Sequence, residues 1–366
     1  MIQEAIAKVA ERQDLSEAEM MEVMDLITEG VATSAQIGAL LVGLRMKGET
    51  VDEISGAAKV MRAKSTRIPL KASPVSVDRD EINCDLETVV DTCGTGGDGT
   101  HTFNISTTTA FVVAGAGLKV AKHGNRSVSS LCGSADVVEA LGVPLDLTPE
   151  QVAACIEQVG IGFLYAPLLH SAMRHVAVPR REIGLRTMFN LLGPLTNPAG
   201  ASVQVLGVYR KDLTETLARV LGNLGCRSAF VVHGEGSYDE ISITGRSKLT
   251  RLVDGEIVTT TLEPEDVGLH KASPESIRGG DAQRNAQITL ATLDGKRGPC
   301  MDVVLMNSAA VFVAAGTAGS LEEGVRMAAE SIDQGQARRK LEELKTLGSS
   351  FSSQSKSAAS QSGGRR

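Results

Sequence analysis

Between Asp91 and Ser130 the chain carries three polar segments whose residue types suit the capture of an anion. The first, Asp91-Thr-Cys-Gly94-Thr-Gly96-Gly97-Asp98-Gly99, directly follows the short apolar run Thr88–Val90. Glycines there permit positive φ and let backbone N–H groups approach an anion closely. The second, Thr102-Phe103-Asn104-Ile105-Ser106-Thr107-Thr108-Thr109, leads into an apolar helical stretch. Hydroxyls, an amide and free N–H groups then meet at a helix N-terminus, where phosphate binds readily. An N-cap alone explains one such residue but hardly four. The third, Lys122-His123-Gly124-Asn125-Arg126-Ser127-Val128-Ser129-Ser130, puts two full cations, a glycine and hydroxyls after the next strand. Open α/β sheets bind ligands at those carboxyl ends.

Two common nucleotide motifs fit poorly. Gly94, Gly96 and Gly99 satisfy G-x-G-x-x-G, but the following strand ends in Lys122-His123, where a dinucleotide site would place an acid for the ribose. No G-x-x-x-x-G-K-[ST] is present, which excludes a P-loop nucleotidase. Far along the chain, Asp239-Glu240 offers adjacent carboxylates. Magnesium is usually held by one or two carboxylates with waters and substrate phosphates. On residue type alone the pair reads equally as an exposed acidic turn.

These segments need elements to position them. In the first 65 residues, Ser16 with Glu19, Thr33 with Gln36 and Thr50 with Glu53 each fit a capping box. Apolar residues follow at helical spacing, and Gly30 and Gly48 sit where helices end. A small bundle over residues 1–66 is expected, its spare apolar face available to a second subunit. Ile68–Leu86, with prolines and mixed charge, reads as the passage to another domain. Beyond it, Thr88–Asp91, Leu118–Ala121, Val203–Val208 and Ala229–His233 read as buried strands. Ser106–Ala116 and the Thr148-capped segment to Val159 read as helices between them. Such alternation predicts an α/β domain over 87–347 with a mostly parallel sheet. From Gly348 the composition turns to Ser, Gln, Lys, Gly and Arg, and residues 348–366 are expected to be a disordered tail.

Composition sets outer limits. The 366 residues carry 37 Lys plus Arg and 44 Asp plus Glu, a formal charge of −7, with 42% hydrophobic and 22% charged residues. That is a globular composition, long enough for roughly two domains. The acidic balance argues against a protein that holds long nucleic acids. The N-terminus lacks a basic region followed by an apolar run, and no apolar run approaches the ~18 residues of a membrane helix, so no signal peptide and no membrane partner are expected. Six cysteines without a C-x-x-C pair speak against zinc and fit reduced thiols in a cytoplasm.

Taken together, Gly94-Thr-Gly-Gly-Asp98, Asn104-Ile-Ser-Thr107 and Lys122-His-Gly-Asn-Arg126 resemble the signature set of the anthranilate phosphoribosyltransferases of tryptophan biosynthesis. The resemblance continues through Phe163–Pro167, Arg186–Pro194, Asn197–Ala199 and Asp239-Glu240, and covers the chain from about Ser16 to Leu347. It implies a nucleoside-phosphorylase-like class II phosphoribosyltransferase fold: a helical domain, helices near 162–185 forming hinges that pack on it, and a larger α/β domain. It also implies transfer of the phosphoribosyl group of 5-phosphoribosyl 1-diphosphate (PRPP) to the amine of anthranilate, with Mg²⁺. A homodimer through the helical domain, a possible anthranilate synthase partner and a stand-alone transferase without an amidotransferase segment are further implications.

Residue by residue, the resemblance places PRPP at Gly94, Gly97, Asp98, Thr102, Asn104, Ile105, Ser106, Thr107, Lys122, His123, Gly124, Asn125, Arg126, Ser127, Val128, Ser129, Ser130 and Ser134. It places Mg²⁺ at Ser106, Asp239 and Glu240, and the anthranilate carboxylate at Arg180, with Gly94 and Asn125 nearby. Arg181 is a rival for Arg180 by one position. Tyr165 and His170 would line the aromatic tunnel, and Arg186 would belong to a structural network. His123 either steers the amine proton or shapes its loop. Catalysis would rest on neutralising the leaving diphosphate and positioning an amine that is already neutral, with no residue assigned as nucleophile or acid/base. A pyrimidine-nucleoside phosphorylase would instead carry a Lys-His-Ser-Thr-Gly-Gly type loop. A non-catalytic nucleic-acid-binding paralogue would want a basic surface and altered PRPP motifs.

Overall fold

The computed structural model describes residues 1–70, 88–127 and 131–362, the stretch from 353 onward by backbone alone. The first 63 residues form the helices Ile2–Ala10, Glu17–Thr28, Ser34–Lys47 and Val51–Ala63. Capping boxes close at Ser16, Thr33 and Thr50, each side chain accepting the N–H three residues on. The apolar faces then meet in a core that includes Met24, Ile27, Leu40, Leu44 and Ile54.

Among the described residues, seven strands form one sheet: β1 (Val89–Gly94), β2 (Lys119–Gly124), β3 (Ile161–Tyr165), β4 (Val203–Gly207), β5 (Ser228–Gly234), β6 (Ser247–Val253) and β7 (Glu256–Leu262). Their order is β3-β2-β1-β4-β5-β6-β7. The β1–β5 strands pair in parallel and β6 and β7 are antiparallel. The chain winds outward from β1 to β3, then returns to the other side of β1 with β4. The carboxyl ends of β1 and β4 thus flank the point where winding reverses, the usual ligand crevice of an open α/β sheet.

Register sharpens this crevice. β1 and β4 pair through to Gly94↔Gly207, so their loops leave at the same level. β1 and β2 pair at Val89↔Lys119 and Val90↔Val120. Past those pairs, side chains bridge the two strands. Asp91 Oδ1 accepts the His123 N–H (3.2 Å), while Asn197 Nδ2 donates to Asp91 Oδ2 and to the Ala121 carbonyl, both at 2.8 Å. The sheet stays closed at its amino end and opens toward the site.

Helices cover both faces. Ile105–Gly115, Pro299–Ala315 and Leu321–Asp333 bury Phe111, Phe312 and Ile332 on one side. On the other, Phe189–Leu195 and Leu213–Asn223 pack with Cys93, Leu206 and Val231, in a core continuous with the bundle's. Arg62, in the last turn of the bundle, donates to the carbonyls of Leu195 (2.7 Å) and Leu224 (2.9 Å), tying the bundle to the ends of both these helices.

Three features depart from the sequence reading. Residues 162–165 lie within β3, because Gly162-Phe-Leu-Tyr165 is a short apolar run that pairs with β2; the helix Arg174–Ile183 takes the hinge position and packs on the bundle. The last helix, Gln336–Ser362, continues past Gly348, where the composition leads one to expect a disordered tail, and Phe351 packs against the core; residues 363–366 of that expected tail lie outside the described residues. Ser, Ala, Lys and Gln tolerate helix well enough to extend one already anchored by Leu341 and Leu344. The β6–β7 hairpin was not foreseen, its outer strand being largely exposed. Most of the expected interdomain passage, residues 71–87, lies outside the described residues. Among the described residues no helix is long and apolar enough to cross a membrane.

Candidate functional site

On the β1–β4 side of the crevice, residues remote in sequence converge on Asp239. A Cβ on Gly94 would stand 2.4 Å from Asp239 Oδ2, and one on Gly207 only 1.5 Å from the Asp239 carbonyl. Glycine at both strand ends is therefore what admits this acidic segment. Gly96 and Gly97 turn back with φ of +67° and +66°, and the Gly96 N–H donates to Asp239 Oδ2 (2.7 Å). Asp98 is oriented by Thr100, which donates both its N–H and its hydroxyl. Glu240 Oε1 accepts the Ser106 N–H at 3.1 Å, joining the acidic pair to the start of the helix Ile105–Gly115.

The electrostatics of this cluster are unfavourable as it stands. Burial first, then the neighbouring Asp98, push Asp239 up to about 7. Burial, with Asp239 alongside, pushes Glu240 well above the usual carboxylate range, against the attraction of Lys122. The donors are all hard oxygens, the kind magnesium prefers. Among the described residues no three His, Cys, Asp or Glu side chains form a ready-made metal cage.

The helix start adds donors. Asn104 is the N-cap residue but makes no side-chain cap bond; its Oδ1 instead accepts from Asn285 Nδ2 (2.9 Å). Thr107 Oγ1 is buried without a partner. Ile105 is buried in the first turn and Thr102 is held by a bridge to Arg278. Lys122 is only 3% exposed, its ammonium 3.3 Å from the His123 carbonyl.

The β2–β3 side is built differently. Gly124 lies so close to Ser134 Oγ that a Cβ would come within 2.2 Å. Ser134 Oγ accepts the Asn125 N–H (3.1 Å), fixing the start of the loop. Arg126 is already engaged: it pairs with Asp136 (2.8 Å) and Glu139 (2.9 Å) and lies 6.0 Å above the Tyr165 ring. Asp136 also accepts the Ser127 N–H (3.2 Å). Val128, Ser129 and Ser130 lie outside the described residues.

His123 and His170 meet across the crevice wall with their Nε2 atoms 3.2 Å apart. Burial holds His123 down to about 3 and His170 to about 4, so both imidazoles are neutral near pH 7. Arg180, on the helix Arg174–Ile183, sits 5.6 Å from the Phe189 ring centre and has no carboxylate within 4 Å among the described residues. Burial lowers its pKa, so its charge lacks compensation. Arg181 is exposed. Arg186 stacks 4.5 Å over Tyr209, whose N–H donates to Thr95 Oγ1 (3.2 Å); this links it to the glycine loop.

Sequence reasoning missed the amides and the acid that hold this arrangement: Asp91, Asn197, Asn285 and Asn307. Asp91 opens the glycine segment and Asn197 opens the Asn197–Ala199 motif, but residue type alone assigns neither of them a role. Asn307 carries a signal of its own, since with Ser308 it interrupts the otherwise apolar run Val303–Val313.

Residues 86–338 match the glycosyl transferase family a/b domain, and residues 3–65 match the family's helical bundle domain. A relative from Geotalea daltonii, an anthranilate phosphoribosyltransferase, is 58% identical over 95% of this chain and 99% of its own length. The enzyme of that name from Geobacter sulfurreducens is 59% identical with the same coverage. Among solved structures, the anthranilate phosphoribosyltransferase of Thermus thermophilus superposes with a TM-score of 0.85 at 40% identity, over 94% of this chain and 99% of that one. The Saccharomyces cerevisiae enzyme in complex with PRPP and Mg gives 0.84 at 29% identity, over 95% and 98%. The chain belongs to the anthranilate phosphoribosyltransferase family.

Proposed function

We propose that this chain transfers the phosphoribosyl group of PRPP to the amine of anthranilate, releasing diphosphate, in tryptophan biosynthesis. The observation that carries the reading is the meeting of the glycine loop, the Ser106 helix start and Asp239-Glu240 at the sheet's switch point. The wall opposite offers Asn125, Arg180 and two neutral histidines.

In the reaction the ribose C1–O bond to diphosphate breaks and a C1–N bond to the amine forms, with one amine proton lost. The N–H groups of the glycine loop, Lys122 and the hydroxyls of Ser106 and Thr107 would receive the negative charge that gathers on the leaving group. Ser106, Asp239 and Glu240 would hold Mg²⁺, which when bound supplies charge neutralisation for diphosphate. Burial and the neighbouring acids raise both carboxyls, a crowding of negative charge that a bound cation would relieve. Arg180 would take the anthranilate carboxylate in a forked pair, the geometry at which guanidinium excels. Neutral His123 and His170 can accept a hydrogen bond from the amine without adding charge that opposes the positive charge developing on ribose.

The same reading extends to a homodimer through the bundle, where Val31 and Met46 are 65% and 69% exposed. It extends also to a cytoplasmic location and an anthranilate synthase partner. Mixing the protein with Mg²⁺, PRPP and anthranilate should quench anthranilate fluorescence, and only when PRPP is present. No PRPP-dependent loss would refute the proposal.

A further inference from the structure

The helix Pro299–Ala315 is buried on all sides, and from Met301 to Ala314 every residue but Asp302 is inaccessible. Asn307 stands near its middle at 2% exposure, in a setting where an unpaired amide is costly. It is not unpaired. Its Oδ1 accepts the Ile241 N–H (3.0 Å), and its Nδ2 donates to the Ile241 carbonyl (2.9 Å) and to the Val303 carbonyl (2.8 Å). The carboxamide thus grips both polar groups of one residue, as a neighbouring strand would. That residue directly follows Glu240.

The acidic segment needs such a grip. Asp239 and Glu240 are adjacent like charges, desolvated, with Asp98 close to Asp239. Repulsion among them favours moving the segment out toward water. On its upstream side the segment is held by the paired backbone groups of Gly234 and Tyr238. On its downstream side the hold on the next peptide is Asn307, from the helix Pro299–Ala315 that shares a core with Ile241. Asparagine alone has the required shape here: leucine keeps the volume without the bonds, and aspartate cannot donate to the Ile241 carbonyl and would add one more negative charge.

We infer that Asn307 is a positioning residue for magnesium binding: it clamps Ile241 so that Asp239 and Glu240 face the diphosphate site. The inference rests on the reading of that pair as magnesium ligands. Groups that orient metal ligands typically contribute 10- to 100-fold to affinity.

The test is titration calorimetry of Mn²⁺ into the full-length protein with saturating PRPP and no anthranilate, for wild type, Asn307→Leu, Asn307→Ser and Asp239→Asn. The serine variant leaves room for water and guards against a leucine variant that does not fold. Both Asn307 variants should weaken Mn²⁺ binding roughly tenfold, with faster hydrogen exchange at Ile241 and anthranilate KM within twofold of wild type. A lowered Tm with unchanged Mn²⁺ affinity would make Asn307 merely structural and overturn the inference while sparing the metal site. Unchanged affinity in Asp239→Asn would overturn both.

Discussion

The two walls of the crevice solve opposite problems. On the β1–β4 side, acidic groups are packed together: burial and the neighbouring acids lift Asp239 to about 7 and Glu240 well above the usual carboxylate range, and backbone N–H groups are their chief hydrogen-bond partners. On the β2–β3 side, the cation of the loop is paired off and the imidazoles carry no charge. Arg126 is held by Asp136 and Glu139, and the histidines are kept neutral. Arg180, half-buried against the Phe189 ring, has no carboxylate within 4 Å among the described residues. On the proposed reading, one wall takes a dication and a diphosphate, and the other an aromatic acid that brings a single negative charge. Functional sites often store instability in this way, since groups held for a ligand cannot also be satisfied without it.

The contrast can be broken most severely at the acidic wall. Replacing Asp239 and Glu240 together by Ala should reduce turnover about 10²–10³-fold, with the fold intact by circular dichroism; unchanged turnover would remove the pair from the metal site. At the opposite wall, Arg180→Ala should raise the anthranilate KM roughly 10- to 100-fold, the cost of a lost charge-assisted pair, and leave the PRPP KM within threefold. Equal effects on both constants would make Arg180 structural.

Smaller effects separate the walls by stability. Asp239→Asn should raise the metal-free Tm by about 2–4 °C at pH 8, because it removes a charge the fold disfavours. Asp239 is raised from the usual 3.8 to about 7, so its destabilisation is present above pH 7 and absent below about pH 4. The gap between variant and wild type should close over that window, as read by thermal melts. The histidines act in the reverse sense. Each is depressed below 6.5, so its contribution is complete above that pH and lost as pH falls toward 4, at about 1.4 kcal/mol per unit. His170→Asn should flatten the fall in stability between pH 6 and 4 relative to wild type; identical slopes would mean that His170 titrates normally.

What could be read from the chain alone follows from the range of the forces involved. Capping boxes at Ser16, Thr33 and Thr50 depend on residues three apart and were legible as written. The glycine loop and the helix start also sit within one βαβ unit, so their convergence followed from local order. The placement of Asp239 beside Gly94 and Gly207 did not, because it is set by how β4 and β5 return across the sheet. The engagement of Arg126 with Asp136 and Glu139 was hidden for the same kind of reason: a cation's partner is a matter of packing, not of type. Asn307 was the hardest to read, as nothing in its neighbourhood hints at Ile241, 66 residues away.

Anomalous scattering from Mn²⁺ in crystals soaked with PRPP tests the central claim most directly. The account predicts a peak within coordination distance of the Asp239 and Glu240 carboxylates, beside Ser106 and the glycine loop and away from His123 and His170. A peak elsewhere, with Asp239 and Glu240 left without a metal, would contradict it.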